Sequence, residues 1–369
     1  MSGTSMDGID AGLFDIRDRQ CKTVATHSSP YPEALRARLL EASRNPERCT
    51  IDELGELDTW TGRAFAQAAA ELIRSSNADR NRIRAIGSHG QTLRHRPGAM
   101  QPFTIQIGDA NIIAATTGIT TVADFRRRDL ALGGEGAPLA TAFHRRFLAD
   151  AGEARVVLNV GGIANITVLP AAGGTVSGFD TGPGNTLLDA WIQAKKDLAC
   201  DRDGQWAKTG RSDEALLARL LDDPYFGAPP PKSTGFEYFN LRWLEKRLCP
   251  SRGQRPPADE DVQATLVTLT VRTIADAVRA HATETSRVLV CGGGVNNPLL
   301  MQGLSRVLPD ARIESTAACG VEPGWVEAAT FAWLAQRRLD GLPGNLPSVT
   351  GASAEAVLGA VYYGERRRP

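Results

Sequence analysis

The chain is poor in the features that announce a metal or redox protein. Its six cysteines, Cys21, Cys49, Cys200, Cys249, Cys291 and Cys319, are widely scattered and form no CxxC or zinc spacing. That pattern reads as free thiols in a reducing compartment. The five histidines form no HExxH or other metal pair, so a metal would be expected to arrive as Mg2+ with a nucleotide. No apolar stretch approaches membrane-helix length and no secretory pattern opens the chain, so a cytoplasmic location is expected. Acidic and basic residues balance at 42 each, which removes any global pull towards nucleic acid or an anionic membrane. The short runs Arg126-Arg127-Arg128 and Arg366-Arg367-Arg368 read as a solvated face and a tail. There is no GxGxxG and no GxxxxGK[ST], so simple dinucleotide and Walker-type readings lose ground.

What is present is length enough for two cores: 369 residues with 42% hydrophobic content. Helical patterns run over Pro32–Ser43, Ile51–Ser75 and Asp261–His281. Strand patterns fall at Ile83–Gly87, Phe103–Ile107, Thr120–Arg126, Arg155–Val160, Ile163–Leu169 and Arg287–Cys291. Gly161-Gly162 turns one of these strands into the next, a hairpin signal. The small-residue run Met1–Asp10 feeds a strand in similar fashion about 155 residues earlier. Two related α/β halves, each opening on a phosphate-facing hairpin, are therefore expected. Leu132–Pro138 is the clearest interior hinge or linker.

The chemistry centres on Gly178-Phe179-Asp180-Thr181-Gly182-Pro183-Gly184-Asn185. Asp180 is expected at a strand end, with Gly182-Pro183-Gly184 forcing a tight loop and Asn185 capping the next helix. A carboxylate beside helix N-terminal N–H groups is placed to act as a base near an anion, although an isolated Asp-Thr-Gly is more often only a turn. Three strands end in polar groups: His89 with Thr92 and His95, then Asp109, then Arg126 with Asp129. Ligands sit at strand ends in open α/β sheets, which favours a shared cleft over ordinary turn chemistry. Gly292-Gly293-Gly294 follows a buried strand and lets backbone approach a flat or phosphorylated ligand. Lys232 stands in a proline-rich loop as a phosphate contact or a solvated side chain. Glu327 opens a helix, where its carboxylate complements the dipole.

Taken in order, MSGTSMDGIDA, SHGQTLRHRP, IQIGDAN, VADFRRRDLALGGEGAPLA, NVGGIANIT, GFDTGPGNTLLDAW, PPKSTGFEYFN, VCGGGVNN and GNLPSVTGA closely resemble the anhydro-N-acetylmuramic acid kinase family. That family belongs to the actin/hexokinase/Hsp70-like ATPase superfamily. The resemblance implies two actin-like (ribonuclease H-like) α/β domains around a nucleotide and substrate cleft. It places them at 1–128 plus 345–369 and at 129–344. It implies an ATP- and Mg2+-dependent kinase that opens 1,6-anhydro-N-acetylmuramic acid with water and phosphorylates it, giving N-acetylmuramic acid 6-phosphate in peptidoglycan recycling. Gly3, Thr4, Ser5, Met6, Asp7, Gly8, Ile9 and Asp10 would form the first phosphate loop, and Gly161 with Gly162 the second. Gly292, Gly293 and Gly294 would lie by the adenosine. Asp180 would be the catalytic base, and Glu327 would support the anomeric centre or Asp180, while Thr92, His95, Asp109 and Arg126 would hold the sugar and its lactyl carboxylate. A homodimer is the family expectation. The alternatives are a simple sugar kinase and a non-catalytic nucleotide-dependent sensor on the same fold. Two departures from the family pattern stand out. Glu135 replaces a usual Gln, and the chain starts at the Met-Ser-Gly-Thr-Ser run where a short strand usually precedes it, so the first sheet is expected to lack half a hairpin.

Overall fold

The computed structural model describes residues 1–3, 6, 8–248 and 256–364. The strands among them are β1 (Ile9–Arg17), β2 (Gln20–Ser29), β3 (Ile86–Gly87), β4 (Gln91–Arg96), β5 (Phe103–Ile107), β6 (Thr121–Ala123), β7 (Arg155–Val160), β8 (Ile163–Leu169), β9 (Ser177–Pro183), β10 (Arg287–Cys291), β11 (Arg312–Ser315) and β12 (Ala360–Tyr362). The helices are α1 (Glu33–Arg44), α2 (Ile51–Ser75), α3 (Ala110–Thr117), α4 (Arg127–Ala131), α5 (Ala140–Phe147), α6 (Thr186–Lys196), α7 (Glu214–Leu221), α8 (Pro224–Gly227), α9 (Leu241–Leu248), α10 (Asp259–His281), α11 (Pro298–Val307), α12 (Val326–Leu339) and α13 (Pro347–Thr350). The chain divides into two compact units, Met1–Phe147 with Trp325–Pro369, and Leu148–Gly324. No helix among the described residues is long and apolar enough to cross a membrane.

The chain divides at 147/148 and 324/325, against the expected boundaries of 128/129 and 344/345. Aromatic packing accounts for the difference. Trp333 of α12 meets Phe143 and Phe147 of α5 edge-on, at 6.2 and 6.0 Å between ring centroids, so both helices share one core. The Leu132–Pro138 stretch is not a free linker. Buried Asp129 accepts the Gly136 N–H at 2.8 Å, and the Glu135 N–H donates to the Thr350 carbonyl at 2.7 Å.

Helix α2 is fixed by its sequence. Thr50 caps it by accepting the Glu53 N–H at 3.1 Å, and Leu57, Thr61, Ala64, Phe65, Ala68 and Leu72 recur at helical spacing on its buried face. It packs against the antiparallel pairs β1–β2 and β4–β5, while α3 and α12 pack on the unit's three-stranded sheet, of order β12-β6-β3. The strand expected over Ile83–Gly87 contracts to Ile86–Gly87, and that over Thr120–Arg126 to Thr121–Ala123.

Among the described residues the second unit holds one sheet, five-stranded in order β11-β10-β7-β8-β9. Strands β7, β8 and β9 form an antiparallel meander, and β10 and β11 add in parallel beside β7. This is the ribonuclease H-like arrangement that the sequence resemblance implied. Strand β7 pairs on both edges and buries nearly every residue, which is why its centre, Val156-Val157-Leu158, is apolar without alternation. Helix α10 lays Val262, Leu266, Leu269 and Ile274 on this sheet's core.

Candidate functional site

Each unit gathers its own polar set. In the second unit, β9 runs on through Gly182 and Pro183, because Ile163 pairs with Pro183 and Ala164 with Gly182 across β8. Asp180 therefore lies inside a strand, opposite Asn165, and not at a strand end as the glycine-proline run suggested. The register shifts between Ala164 and Asn165; such a bulge re-aims the side chains beside it. A proline survives there because β9 is the edge strand. The Asp180 carboxylate accepts the Thr234 N–H at 2.9 Å, its N–H donates to the Lys232 carbonyl at 3.0 Å, and its own carbonyl accepts the Tyr225 hydroxyl at 2.8 Å. The proline-rich segment thus acts as a brace for Asp180. The Lys232 ammonium turns away to the carbonyls of Tyr225 and Phe226, at 3.0 and 3.2 Å.

Beyond Pro183 the chain folds onto the Gly161-Gly162 turn. The N–H groups of Asn185 and Gly184 donate to the carbonyls of Gly161 and Gly162, both at 2.8 Å. Asn185 does not cap α6 through its side chain. Its amide instead donates to the carbonyls of Val160 and Gly161, at 3.2 and 3.1 Å. Thr270 of α10 holds the same corner by donating to the carbonyls of Pro183 and Gly184. The triglycine loop closes in from β10. Gly292 adopts φ +82°, and a side chain there would strike Asn159 and Val160, so only glycine fits. Gly293 differs: it is exposed, and the nearest atom to an added Cβ is Asn185 Nδ2 at 3.9 Å. Gly161 and Gly162 are similarly open, with nearest atoms at 3.6 and 3.9 Å. Three glycines around Asn185 therefore leave room where backbone can meet a phosphate or a flat ring. Sequence reasoning missed Asn185 as the hub of this cradle, since its place before a helix suggested a cap.

In the first unit, α2 sets Asp109. The Asp58 carboxylate of α2 accepts the Gly108 N–H at 2.7 Å, and the Asp109 N–H donates to the Asp58 carbonyl at 3.2 Å. A side chain on Gly62 would collide with the Asp109 backbone, so helix and turn touch directly. The Asp109 carboxylate caps α3 by accepting the Asn111 N–H at 2.7 Å. Helix α12 sets the rest. Its Phe331 lies 4.5 Å from the His89 ring and 5.4 Å from Phe125, between centroids, and Glu327 sits one turn earlier on the same face. Arg126 donates from Nε to His89 Nε2 at 3.0 Å and from Nη1 to the Gly136 carbonyl at 2.7 Å. Of the strand-end groups, His89 and Arg126 are in contact, and His95 is close enough for Arg126 to lower its pKa. Thr92 accepts from the Gln106 amide at 3.3 Å, and His95 bonds Thr104 at 3.1 Å, both across the β4–β5 hairpin.

Burial and Arg126 together hold His89 well below the ordinary imidazole range, and His95 is lowered to about 4 by the same causes. Crowding by protein lowers Arg126 to about 10, with Glu327 and Asp129 opposing. Glu327 is raised, chiefly by desolvation, with Arg126 pulling the other way. Its side chain still reaches solvent, so water tempers that rise.

The proposed first phosphate loop lies in part outside the described residues: Thr4, Ser5 and Asp7 do. Met6, at φ 55°, donates its N–H to the Gly3 carbonyl at 3.2 Å, and its side chain is core. Ile9 is also core, so for both only backbone could face a ligand. The Asp10 carboxylate accepts the Ser28 hydroxyl at 2.6 Å. Buried Gln91 ties this loop to β4, donating to the Gly3 carbonyl at 3.2 Å while accepting the Tyr31 hydroxyl at 3.0 Å. No group of three or more His, Cys, Asp and Glu among the described residues is placed to hold a metal.

Comparison over the whole chain identifies the family. Residues 1–364 match the family model for anhydro-N-acetylmuramic acid kinase. The chain belongs to that family. It is 52% identical over 365 residues to the anhydro-N-acetylmuramic acid kinase of Xylella fastidiosa, covering 98% of this chain and 94% of that one. The Coxiella burnetii enzyme of the same name is 50% identical over 368 residues, covering 99% and 97%. The Xanthomonas campestris enzyme is 52% identical over 365 residues, covering 98% and 96%. Among solved structures, the activator of the 2-hydroxyisocaproyl-CoA dehydratase from Clostridium difficile with bound ADPNP aligns at TM-score 0.41. It is 12% identical and covers 89% of this chain and 97% of that one, a likeness too loose to build on.

Proposed function

We propose that this member of the kinase family opens 1,6-anhydro-N-acetylmuramic acid with water and phosphorylates it from ATP, in the cytoplasm, during peptidoglycan recycling. The observation that carries the reading is the pairing, in one unit, of a braced carboxylate with an open glycine cradle. Asp180 is held by Thr234, Lys232 and Tyr225, and Gly161, Gly162 and Gly293 leave space around Asn185.

The residues fit the nucleotide in the way the cradle suggests. Gly161, Gly162 and Gly292–Gly294 would hold ATP through backbone, with Mg2+ arriving on its phosphates. Bound MgATP supplies the phosphoryl group and the charge neutralisation that such transfers need. Asp180 is the base: it takes the proton of the water that attacks C1 of the sugar. The C1–O6 bond breaks as that water adds, and O6 takes the γ-phosphoryl group, releasing ADP. The phosphoryl acceptor thus absorbs the charge that an acid would neutralise in ordinary acetal hydrolysis. Thr92, His95, Asp109 and Arg126 hold the sugar, with the Arg126 guanidinium on the lactyl carboxylate. Glu327 supports the charge developing at C1. A homodimer is part of the same reading, checked by light scattering in solution.

The deciding experiment is ATP-dependent turnover of 1,6-anhydro-N-acetylmuramic acid with product mass recorded. A product heavier by one water and one phosphoryl group (HPO3) confirms the reading. Turnover of the already opened sugar with none of the anhydro sugar would overturn it.

A further inference from the structure

The segment that braces Asp180 runs through turns and irregular backbone from 228 to 240, so its shape depends on contacts beyond its own backbone. Those contacts meet at Asp223, the residue before α8. Its side chain is only 1% exposed, and each carboxylate oxygen accepts two hydrogen bonds. Oδ1 takes the Tyr225 N–H at 3.0 Å and the Tyr238 hydroxyl at 2.8 Å. Oδ2 takes the Trp243 indole N–H at 2.8 Å and the Arg247 guanidinium at 2.7 Å. A buried carboxylate is tolerated only with a full set of donors. Burial alone would raise its pKa, but the donors and the Arg247 charge outweigh burial and hold it below the ordinary aspartate value.

The donors come from the two ends of the excursion. Tyr225 stands at its start, and Tyr238, Trp243 and Arg247 stand at its finish and on α9, so Asp223 draws the ends together as the neck of a closed loop. Buried Phe239 fills that neck, 5.3 Å from the Tyr225 ring and 5.1 Å from Trp243 between centroids. From the neck, contacts run straight to Asp180. The Tyr225 hydroxyl donates to the Asp180 carbonyl at 2.8 Å. The Phe226 ring lies against Gly182 of β9, where an added Cβ would stand 2.8 Å from it. Inside the loop, Lys232 ties its ammonium to the carbonyls of Tyr225 and Phe226 while its own carbonyl accepts the Asp180 N–H. Two residues on, the Thr234 N–H reaches the Asp180 carboxylate at 2.9 Å.

We propose that Asp223 is a positioning residue for Asp180: its carboxylate closes the loop so that Tyr225 and Thr234 hold the base in one orientation. This role rests on the reading of Asp180 as the base. Asp223 is sealed within the fold and acts only through these neighbours. A base that wanders from its aligned position loses productive encounters with the water it deprotonates. Opening the staple therefore lowers turnover and leaves sugar and ATP binding in place.

The test uses the full chain, assayed well below the melting temperature of each variant. In Asp223→Asn, one pair of donors faces an NH2 group whichever way the amide turns. Tyr238→Phe removes one hydroxyl from an exposed ring and serves if the first variant does not fold. Tyr225→Phe removes only the hydroxyl on Asp180. Asp223→Asn should lower kcat at least about tenfold and Tyr238→Phe roughly threefold, with KM for sugar and ATP within about twofold. Tyr225→Phe should lower kcat as well, and its effect should not add to that of Asp223→Asn, since both act on one contact chain. The Thr234 amide should exchange hydrogen at least about tenfold faster in Asp223→Asn and Tyr238→Phe than in the parent. A lower melting temperature with parent kcat makes Asp223 a merely structural residue and overturns the proposal, as does unchanged exchange at Thr234. The exchange readout needs no turnover. Near-normal turnover in Asp180→Asn removes the base, and with it the catalytic role of Asp223, while exchange at Thr234 still decides whether Asp223 closes the loop. An inactive Asp180→Asn beside a fully active, folded Asp223→Asn sinks the staple alone.

Discussion

Arg126 donates its Nε–H to Nε2 of His89 at 3.0 Å, and that bond fixes the state of both side chains. Nε2 accepts, so the imidazole proton resides on Nδ1, which donates to the Gly90 carbonyl at 2.9 Å. His89 is thus a neutral positioning residue, buried against Phe331. It turns the guanidinium without competing for an anion. A guanidinium has five N–H donors, and the bonds to His89 and Gly136 engage two of them.

Replacing Arg126 by Lys keeps the charge but loses the fork that spans His89 and a carboxylate. KM for the anhydro sugar should rise roughly tenfold to a hundredfold, the range for one or two charged hydrogen bonds. The KM for ATP should not move. A parallel rise in both would show that Arg126 merely supports the fold.

Asp180→Asn preserves the size of the side chain and removes its basicity. Turnover should fall by roughly 10²–10⁴, with circular dichroism and melting temperature close to the parent. Near-normal turnover in this variant excludes Asp180 as the base.

The triglycine loop offers a paired test. Gly292→Ala places a Cβ against Asn159 and Val160 at φ +82° and should destabilise the second unit. Gly293→Ala meets nothing closer than 3.9 Å, so the melting temperature should hold while KM for ATP rises. Unchanged ATP affinity in Gly293→Ala would place the nucleotide elsewhere.

Glu327 ionises above the ordinary glutamate range. If its charge supports the reaction, the rate falls with acidity through that raised pKa. Glu327→Gln should have a lower kcat and no such acidic limb. A pH profile identical to the parent's would remove Glu327 from the reaction.

Stability should also be acid-sensitive above the carboxylate range. Buried His89 and His144 are both lowered in the fold, His144 to about 3, against 6.5 in an open chain. The unfolded chain therefore binds protons first as pH falls. The stability from keeping them neutral is complete above about 6.5 and is lost progressively below it. Each loses on the order of 1–2 kcal/mol by pH 5. Melting curves from pH 7.5 to 5 measure this directly, and His144→Asn should flatten part of the slope.

The sequence by itself determined the local elements wherever burial imposes a period. Ile51–Ser75, Phe103–Ile107, Arg155–Val160, Ile163–Leu169 and Arg287–Cys291 are helix or strand over the very residues whose patterning predicted them. The ordered motifs also determined the family, because nine short segments along one chain constrain far more than any one of them. What only the tertiary structure decided is where side chains spend their hydrogen bonds. Asn185 reads as a cap and instead braces the carbonyls of Val160 and Gly161, and Asp180, expected at a strand end, lies inside a strand and is held by a proline-rich segment. His89 was one polar residue in a cluster until Arg126 reached it from 37 positions away. Period and propensity act over a few residues, whereas these bonds join segments that only the packed sheets and helices bring within reach. The domain boundary followed the same logic: Trp333 joins α12 to α5 through contacts that no local signal near 147 announces.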